Sequence, residues 1–313
     1  MLGPRSVAID SPPHRGRPGS TSSGSHGSLR HRVPQCRLTL VTVGVEAAIR
    51  VAVDLGMNLG EPLLIQETNH TVVWLQPYPV IAKVGTRRDG AAALRHEYQV
   101  ASALTVGGAP VGAPWSGIGP LLDLESGFVV TLWNRLEIDP GSRLREADRG
   151  ASLRLVHEAL AQIDVELPSF RVCLERTRIA LFDDLRMAAL PVQDRLFLRE
   201  AFEELIGGLD GLTFPEQAIH GEPHNGNCLA TGEGLRWIDL EDACRGPVEW
   251  DLAFLTEEAR GKFENIDRSL LELLTTLNSA RVATWCWVQA RFPAMRSHGQ
   301  QHLSLVRTRW PKD

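Results

Sequence analysis

Apolar residues recur along this chain with two different periods, and the change from one to the other divides it. Between Pro62 and Trp133 they come in short runs: Leu63-Leu64-Ile65, Val72-Val73-Trp74-Leu75, Val80-Ile81-Ala82 and Phe128-Val129-Val130 through Trp133. Short apolar runs rich in β-branched residues and bounded by turn formers predict strands. The first two are joined by Glu67-Thr68-Asn69-His70, which makes them a predicted hairpin. Among these strands, Leu94, Tyr98, Ala101 and Leu104 lie at helical spacing and predict a helix from Asp89 to Leu104, closed by Gly107-Gly108. After residue 134 the helical period takes over. It appears in Leu153-Leu155-Val156-Leu160, Leu181-Leu185-Ala188, Leu196-Leu198-Phe202-Leu205 and the stretch Ile266 to Phe292. Trp285 and Trp287, near the end of that stretch, are read as packing residues. The pattern predicts an α+β chain: a small antiparallel sheet carrying one key helix, followed by a larger, mainly helical part.

One stretch of the helical half breaks the period. Ile219-His220-Gly221-Glu222-Pro223-His224-Asn225-Gly226-Asn227 cannot run as a helix through Pro223 and Gly226. Beyond it, Cys228-Leu229-Ala230 and Leu235-Arg236-Trp237-Ile238 flank the turn Thr231-Gly232-Glu233-Gly234 and predict a second hairpin. Residues roughly equidistant from such a turn face each other across its open end, so Asn227 and Asp239 come within reach of one cation. The spacing His-x-acid-x-x-x-x-Asn is that of a kinase catalytic loop. A carboxylate at Glu222 can take the proton of an attacking hydroxyl, while Asn227 and Asp239 can hold the Mg2+ that neutralises nucleotide phosphates. Two other readings stay open: a metal site of His220, Glu222 and His224, and a loop without chemistry. The first has the wrong residue order for a His-Glu-x-x-His helix and lacks the Pro-Cys-x-x-Cys of a zinc deaminase.

A phosphoryl-transfer site also needs a lysine on a strand and a carboxylate on a helix to pair with it. Lys83 stands inside Pro79-Val80-Ile81-Ala82-Lys83-Val84-Gly85, and Glu97 falls on the apolar face of the predicted helix. A carboxylate on a core-facing stripe is costly unless paired, which a Lys83–Glu97 ion pair would explain. The alternative is that Lys83 snorkels from a strand edge and Glu97 sits at the rim of the stripe. The hairpin before Lys83 would cover the phosphates. It has no Gly-x-Gly-x-x-Gly, so backbone N–H groups and Asn69 would form the cradle. Phe128 to Trp133 reads either as the hinge, with Thr131 and Trp133 offering backbone groups to a nucleotide base, or as an ordinary core strand.

Together these segments resemble the aminoglycoside phosphotransferase and choline kinase superfamily, a branch of the protein-kinase-like fold. In that resemblance His220, Asn227 and Asp239 stand where the family has its loop histidine and two magnesium ligands. Gly246-Pro247-Val248-Glu249-Trp250-Asp251-Leu252-Ala253 resembles the following segment, with Asp251 bracing the catalytic loop. The chain departs at Glu222, one methylene longer than the family's usual aspartate. The resemblance implies two lobes, residues 36–133 with a hinge near 131–135 and residues 134–313, using ATP or GTP with Mg2+ to phosphorylate a hydroxyl of a small molecule. A catalytically inactive nucleotide-binding or scaffolding protein is the competing reading.

Composition narrows the partners. With 33 Lys and Arg against 38 Asp and Glu, the formal net charge is -5, which is no footprint for nucleic acid. No apolar run approaches membrane-spanning length. Five scattered cysteines without a Cys-x-x-Cys point to a reducing compartment, the cytoplasm. Residues 1–35 are dominated by Ser, Gly, Pro, Arg and His, with Asp10 the one acid before Glu46, and are expected to be disordered. An organellar transit peptide is the alternative, without a clear amphipathic stretch to support it. On the acceptor side the chain supplies Glu241, Asp242, Glu249, Glu257, Glu258 and Glu264, against a basic final stretch with Arg291, Arg296, Arg307, Arg309 and Lys312. That mixture predicts an acceptor with at most one or two positive charges.

Overall fold

The computed structural model describes residues 35–68, 70–87, 90–139, 141 and 144–310, without the side chains of 35–42. The expected disorder of the N-terminal segment falls almost wholly outside the described residues, as does Asn69. The first element is a helix that the apolar pattern did not single out, α1 (Gln35–Asp54). Its Ala47, Ala48, Val51 and Ala52 are buried against the sheet residues Val73, Val80, Ala82, Val130 and Leu132. Arg50 ties it down through a 2.7 Å pair with Asp123.

The sheet comprises β1 (Leu63–Glu67), β2 (Thr71–Trp74), β3 (Val80–Val84), β4 (Leu121–Leu122) and β5 (Val129–Asn134), in the order β1-β2-β3-β5-β4 and antiparallel throughout. Burial alternates along β2 and β3, as expected of strands with one face in the core. Helix α2 (Gly90–Val106) follows β3 and ends before Gly108, whose φ is 72°. The join is tight: a Cβ on Gly90 would lie 2.9 Å from the Cα of Gly85. This close approach sets the start of α2 beside the end of β3, so Lys83 and Glu97 are brought together.

The helical part contains α3 (Glu146–Leu160), α4 (Arg171–Phe182) and α5 (Val192–Asp210), then a β-rich insert of β6 (Gln217–Ile219), β7 (Cys228–Thr231), β8 (Gly234–Trp237) and β9 (Cys244–Gly246). It closes with α6 (Val248–Leu252), α7 (Glu257–Arg260), α8 (Arg268–Val288) and α9 (Pro293–Arg309). Its core gathers Phe170, Leu181, Phe202, Trp250, Leu274, Leu277 and Leu303 around α8. The apolar series Leu181-Leu185-Ala188 crosses a helix end: α4 stops at Phe182. The Asp183 carboxylate accepts from the N–H groups of Leu185 and Arg186, a local turn that competes with the helix. Trp287 is buried in the helical part, whereas Trp285 is half-buried: it donates to the Thr177 hydroxyl at 3.1 Å and has the Arg87 guanidinium 5.9 Å from its ring centroid. Among the described residues no helix is long and apolar enough to cross a membrane. Cys173, Cys228, Cys244 and Cys286 are free thiols; burial pushes Cys173 and Cys228 up to about 12, far from thiolate reactivity.

Candidate active site

The loop from His220 to Asn227 is held by its backbone. It leaves β6, which pairs with β9, and two carboxylate oxygens of Asp251 on α6 receive the N–H groups of His220 (2.8 Å) and Gly221 (2.9 Å). Trp250 Nε1 donates to the Gly221 carbonyl at 2.8 Å. Asp251 is fully buried, and His157 Nε2 adds a third bond to it at 2.7 Å. Gln217 Nε2 lies 3.3 Å from His157 Nδ1, so the ring accepts there and carries its proton on Nε2, facing Asp251. Gly221 has φ 89°, and a Cβ there would stand 1.9 Å from the Asp242 carbonyl oxygen; only glycine fits. His220 is buried edge-on to Trp237, ring centroids 5.4 Å apart, and burial lowers its pKa so that it stays neutral. It shapes the loop from within and faces no open space.

The second hairpin forms in the expected register, with Cys228 opposite Trp237 and Thr231 opposite Gly234. Ile238 N–H donates to the Asn227 carbonyl at 2.9 Å, which closes the ladder at its open end. Asn227, 4% exposed, donates its side-chain amide to the Glu222 carbonyl at 3.0 Å, which leaves Oδ1 as the acceptor end of the side chain. Asp239 leaves β8 with φ 65° and ψ 57°, a left-handed conformation uncommon outside glycine. That turn aims its carboxylate at the small lobe, where Lys83 Nζ meets Asp239 Oδ1 and Glu97 Oε2, each at 2.7 Å. Burial pushes Glu97 up to about 7, with Lys83 pulling the other way. Burial also opposes the charge on Lys83 and Asp239, but their mutual attraction prevails and holds both ionised. Among the described residues no three His, Cys, Asp or Glu side chains gather as a metal cluster. Two hard oxygens, Asp239 and Asn227 Oδ1, suit Mg2+, which usually completes its shell with water and phosphate oxygens.

Glu222 lies on the other side of the loop, 24% exposed, with Oε1 held 2.6 Å from Arg281 Nη2 on α8. Beside it, burial and the charge of Glu222 raise Asp242 to about 7, partly offset by Arg281. Arg176 Nη1 stands 3.3 Å from Asp242. Three residues here escaped the sequence reading as site residues. Arg281 and Arg176 gave no signal beyond being basic residues on helices. His70, from the turn between β1 and β2, reaches across to Glu241, Nε2 to Oε2 2.5 Å. Thr131 and Trp133 sit inside the sheet. Thr131 is opposite Lys83 and its hydroxyl accepts from Trp133 Nε1, while the other edge of β5 is taken by β4 and by residues 113–115. The next N–H, of Arg135, is also taken, by the Pro79 carbonyl at 2.9 Å, so backbone outside these ladders begins at Leu136, just past the expected hinge.

The chain matches the model of the phosphotransferase enzyme family over residues 66–290. No curated protein matches. Among solved structures it is similar to the GDP complex of wild-type aminoglycoside 2'-phosphotransferase-IIIa, at TM-score 0.62 and 15% identity, covering 85% of this chain and 98% of that one. It is also similar to amicoumacin kinase hAmiN in complex with AMP-PNP, Ca2+ and Ami, at TM-score 0.65 and 14% identity, over 89% of this chain and 98% of that one. Choline kinase LicA from Streptococcus pneumoniae aligns at TM-score 0.61 and 14% identity, over 84% and 99%. At such identities these likenesses speak for the fold, which is protein-kinase-like. The match over residues 66–290 settles the lineage: the chain belongs to the phosphotransferase enzyme family.

Proposed function

We propose that the chain is a kinase that moves the γ-phosphoryl group of ATP or GTP to a hydroxyl of a small molecule. The observation that carries this is the placement of Lys83 between Glu97 and Asp239, with Asn227 and Glu222 on the adjoining loop. In this reading Lys83 binds the α- and β-phosphates, Glu97 positions it, and Asn227 and Asp239 hold magnesium. The bound cation would neutralise phosphate charge as the transition state forms. Asp251 and His220 keep the loop in shape. Glu222 orients the acceptor hydroxyl and takes its proton as the oxygen joins the γ-phosphorus and the nucleoside diphosphate departs with the bridging oxygen. The base would be read by backbone from Leu136 onward, beyond the Arg135 N–H that Pro79 already takes.

The acceptor reading follows from how the acids are used. Glu241 is paired with His70, Asp242 with Arg176, and Glu257 with Arg268 and Arg260. Glu249 accepts from the Asp267 N–H. Clustered free carboxylates are what a polycation needs, and these are engaged. The acceptor is therefore a hydroxyl compound with at most one or two positive charges. The test is acceptor-dependent ADP formation from Mg-ATP across amino sugars, amino alcohols, sugars and hydroxy amino acids, with kanamycin as the polycationic arm. Efficient, strongly salt-sensitive phosphorylation of kanamycin would overturn the acceptor class. Binding of Mg-ATP without turnover on any arm would favour the inactive, scaffolding reading.

A further inference from the structure

The backbone of the catalytic loop is fixed at several points around Glu222. Asp251 takes the two preceding N–H groups, Trp250 holds the Gly221 carbonyl, and Asn227 donates to the carbonyl of Glu222 itself. None of these bonds touches the Glu222 carboxylate, and a glutamate has one more rotatable bond than the aspartate usual in this family. A loop this well held would still leave a long acid free to swing.

Arg281 supplies the missing constraint. Its Nη2 lies 2.6 Å from Glu222 Oε1. The arginine is itself held: it is 5% exposed, its Nε is 3.3 Å from Asn278 Oδ1, and its guanidinium carbon stands 5.8 Å from the Trp250 ring centroid and 5.6 Å from that of Phe254. Trp250 is the same residue that fixes the Gly221 carbonyl, so one side chain registers both the loop and the arginine. Burying a guanidinium is costly, and carboxylates close by are what make it tolerable. Glu222 and Asp242 provide that charge and raise the Arg281 pKa against the opposing effect of burial.

We propose that Arg281 is a positioning residue that clamps the Glu222 carboxylate at one place over the acceptor side of the loop, and so makes the longer acid serviceable as the hydroxyl-orienting group. Its catalytic meaning rests on the kinase reading; the clamp itself does not. A fixed planar donor suits this task better than an ammonium, because its fork sets the direction as well as the distance of the partner. Phosphoryl transfer depends chiefly on positioning, so a carboxylate misplaced by about 1 Å costs turnover on the order of a hundredfold without weakening nucleotide binding.

The test compares crystal structures of the full-length wild type, R281M and R281K, alongside steady-state hydrolysis of Mg-ATP with water as the acceptor. In R281M the backbone of residues 220–227 should stay in place while the Glu222 side chain spreads over several rotamers. Hydrolysis should fall by roughly 10- to 100-fold in kcat at unchanged KM for Mg-ATP, with R281K recovering part of it. Should R281M not fold, R281K is read in two backgrounds: it lowers kcat in the wild type and has no further effect in E222D, whose shorter acid no longer reaches the clamp. A Glu222 carboxylate that keeps its single place in R281M, or an R281K loss of equal size in both backgrounds, overturns the proposal. A wild-type chain that binds no Mg-ATP defeats the kinase reading instead, and the crystallographic comparison still decides the clamp.

Discussion

Replacing Lys83 by methionine would remove the one cation that bridges Glu97 and Asp239 at 2.7 Å on each side. The Glu97 side chain is 4% exposed, so water cannot take over the lost partner. Breaking a buried pair from one side costs about 3–5 kcal/mol, since it strands the remaining charge. At about 2–4 °C per kcal/mol, that is a fall in Tm of roughly 6–20 °C. The pH dependence makes the prediction sharper. Burial has already raised Glu97 from its ordinary 4.5 to about 7, against the pull of Lys83. An acid raised on folding contributes stability that is fully present below 4.5 and is lost as pH rises through the folded value. Without Lys83 that value rises further and the loss continues to higher pH. The difference between K83M and wild type should therefore be smaller near pH 5, where only Asp239 loses a partner to its charge, and largest near pH 8, where Glu97 adds to it. E97Q in the K83M background should recover part of the loss at pH 8, because no second carboxylate then faces Asp239. Thermal unfolding followed by circular dichroism across that range is the assay. A K83M variant as stable as wild type at pH 8, or a gap that narrows as pH rises, would refute the reasoning.

D239N should abolish the thermal shift given by Mg-ATP while leaving the fold intact, because it would remove one of the two oxygens of the proposed cation site; an unchanged shift with wild-type turnover takes Asp239 out of the site. E222Q should lower turnover by about 10²–10⁴-fold with nucleotide affinity near wild type, measured by calorimetry and ADP release, since in the proposed reaction Glu222 acts on the acceptor and not on the nucleotide. E222D should retain more activity than E222Q, because it keeps a carboxylate on the loop. G221A should destabilise the protein by at least about 1–3 kcal/mol in urea, the range for a side chain forced into disfavoured backbone. Its Cβ would also stand 1.9 Å from the Asp242 carbonyl oxygen. An Ala variant with wild-type stability would show that the loop can shift freely there.

What could be read from the sequence was whatever a local period or a short turn determines. Lys83 on a strand and Glu97 on the apolar face of a helix are each placed by alternation or helical spacing, and their meeting needs little beyond the short join at Gly85 and Gly90. Asn227 is bonded to Ile238, the residue before Asp239, because the turn fixes the register that sets Cys228 opposite Trp237. Arg281 is a different case. It lies 59 residues from Glu222 on a helix whose other residues already explain the apolar pattern, and a lone arginine there reads as a snorkelling side chain until α8 packs against α6. His70 was legible as a turn residue but not as a partner of Glu241, since that contact joins the two lobes over 171 residues. The stretch 181–188 kept a helical period that Asp183 interrupts with its own hydrogen bonds.

The acidic residues on the acceptor side show the same limit in the form that matters most for function. Sequence counts charges, whereas an acceptor meets only those charges that have no other partner. Glu249, read as part of an acidic surface, is 4% exposed and fastens the start of α8 through the Asp267 N–H. Asp242 is drawn toward Arg176 and, at about 7, is partly neutral at physiological pH because burial and Glu222 work against its ionisation. Glu258 and Glu264 remain exposed. Around Glu222 two carboxylates, its own and that of Asp242, are thus matched by two guanidiniums, Arg281 and Arg176, which supports the proposed hydroxyl compound of low charge. On the proposed function, recognition of the acceptor would fall to hydrogen bonds and shape, and the clamp on Glu222 would be the feature on which the direction of the attacking hydroxyl depends.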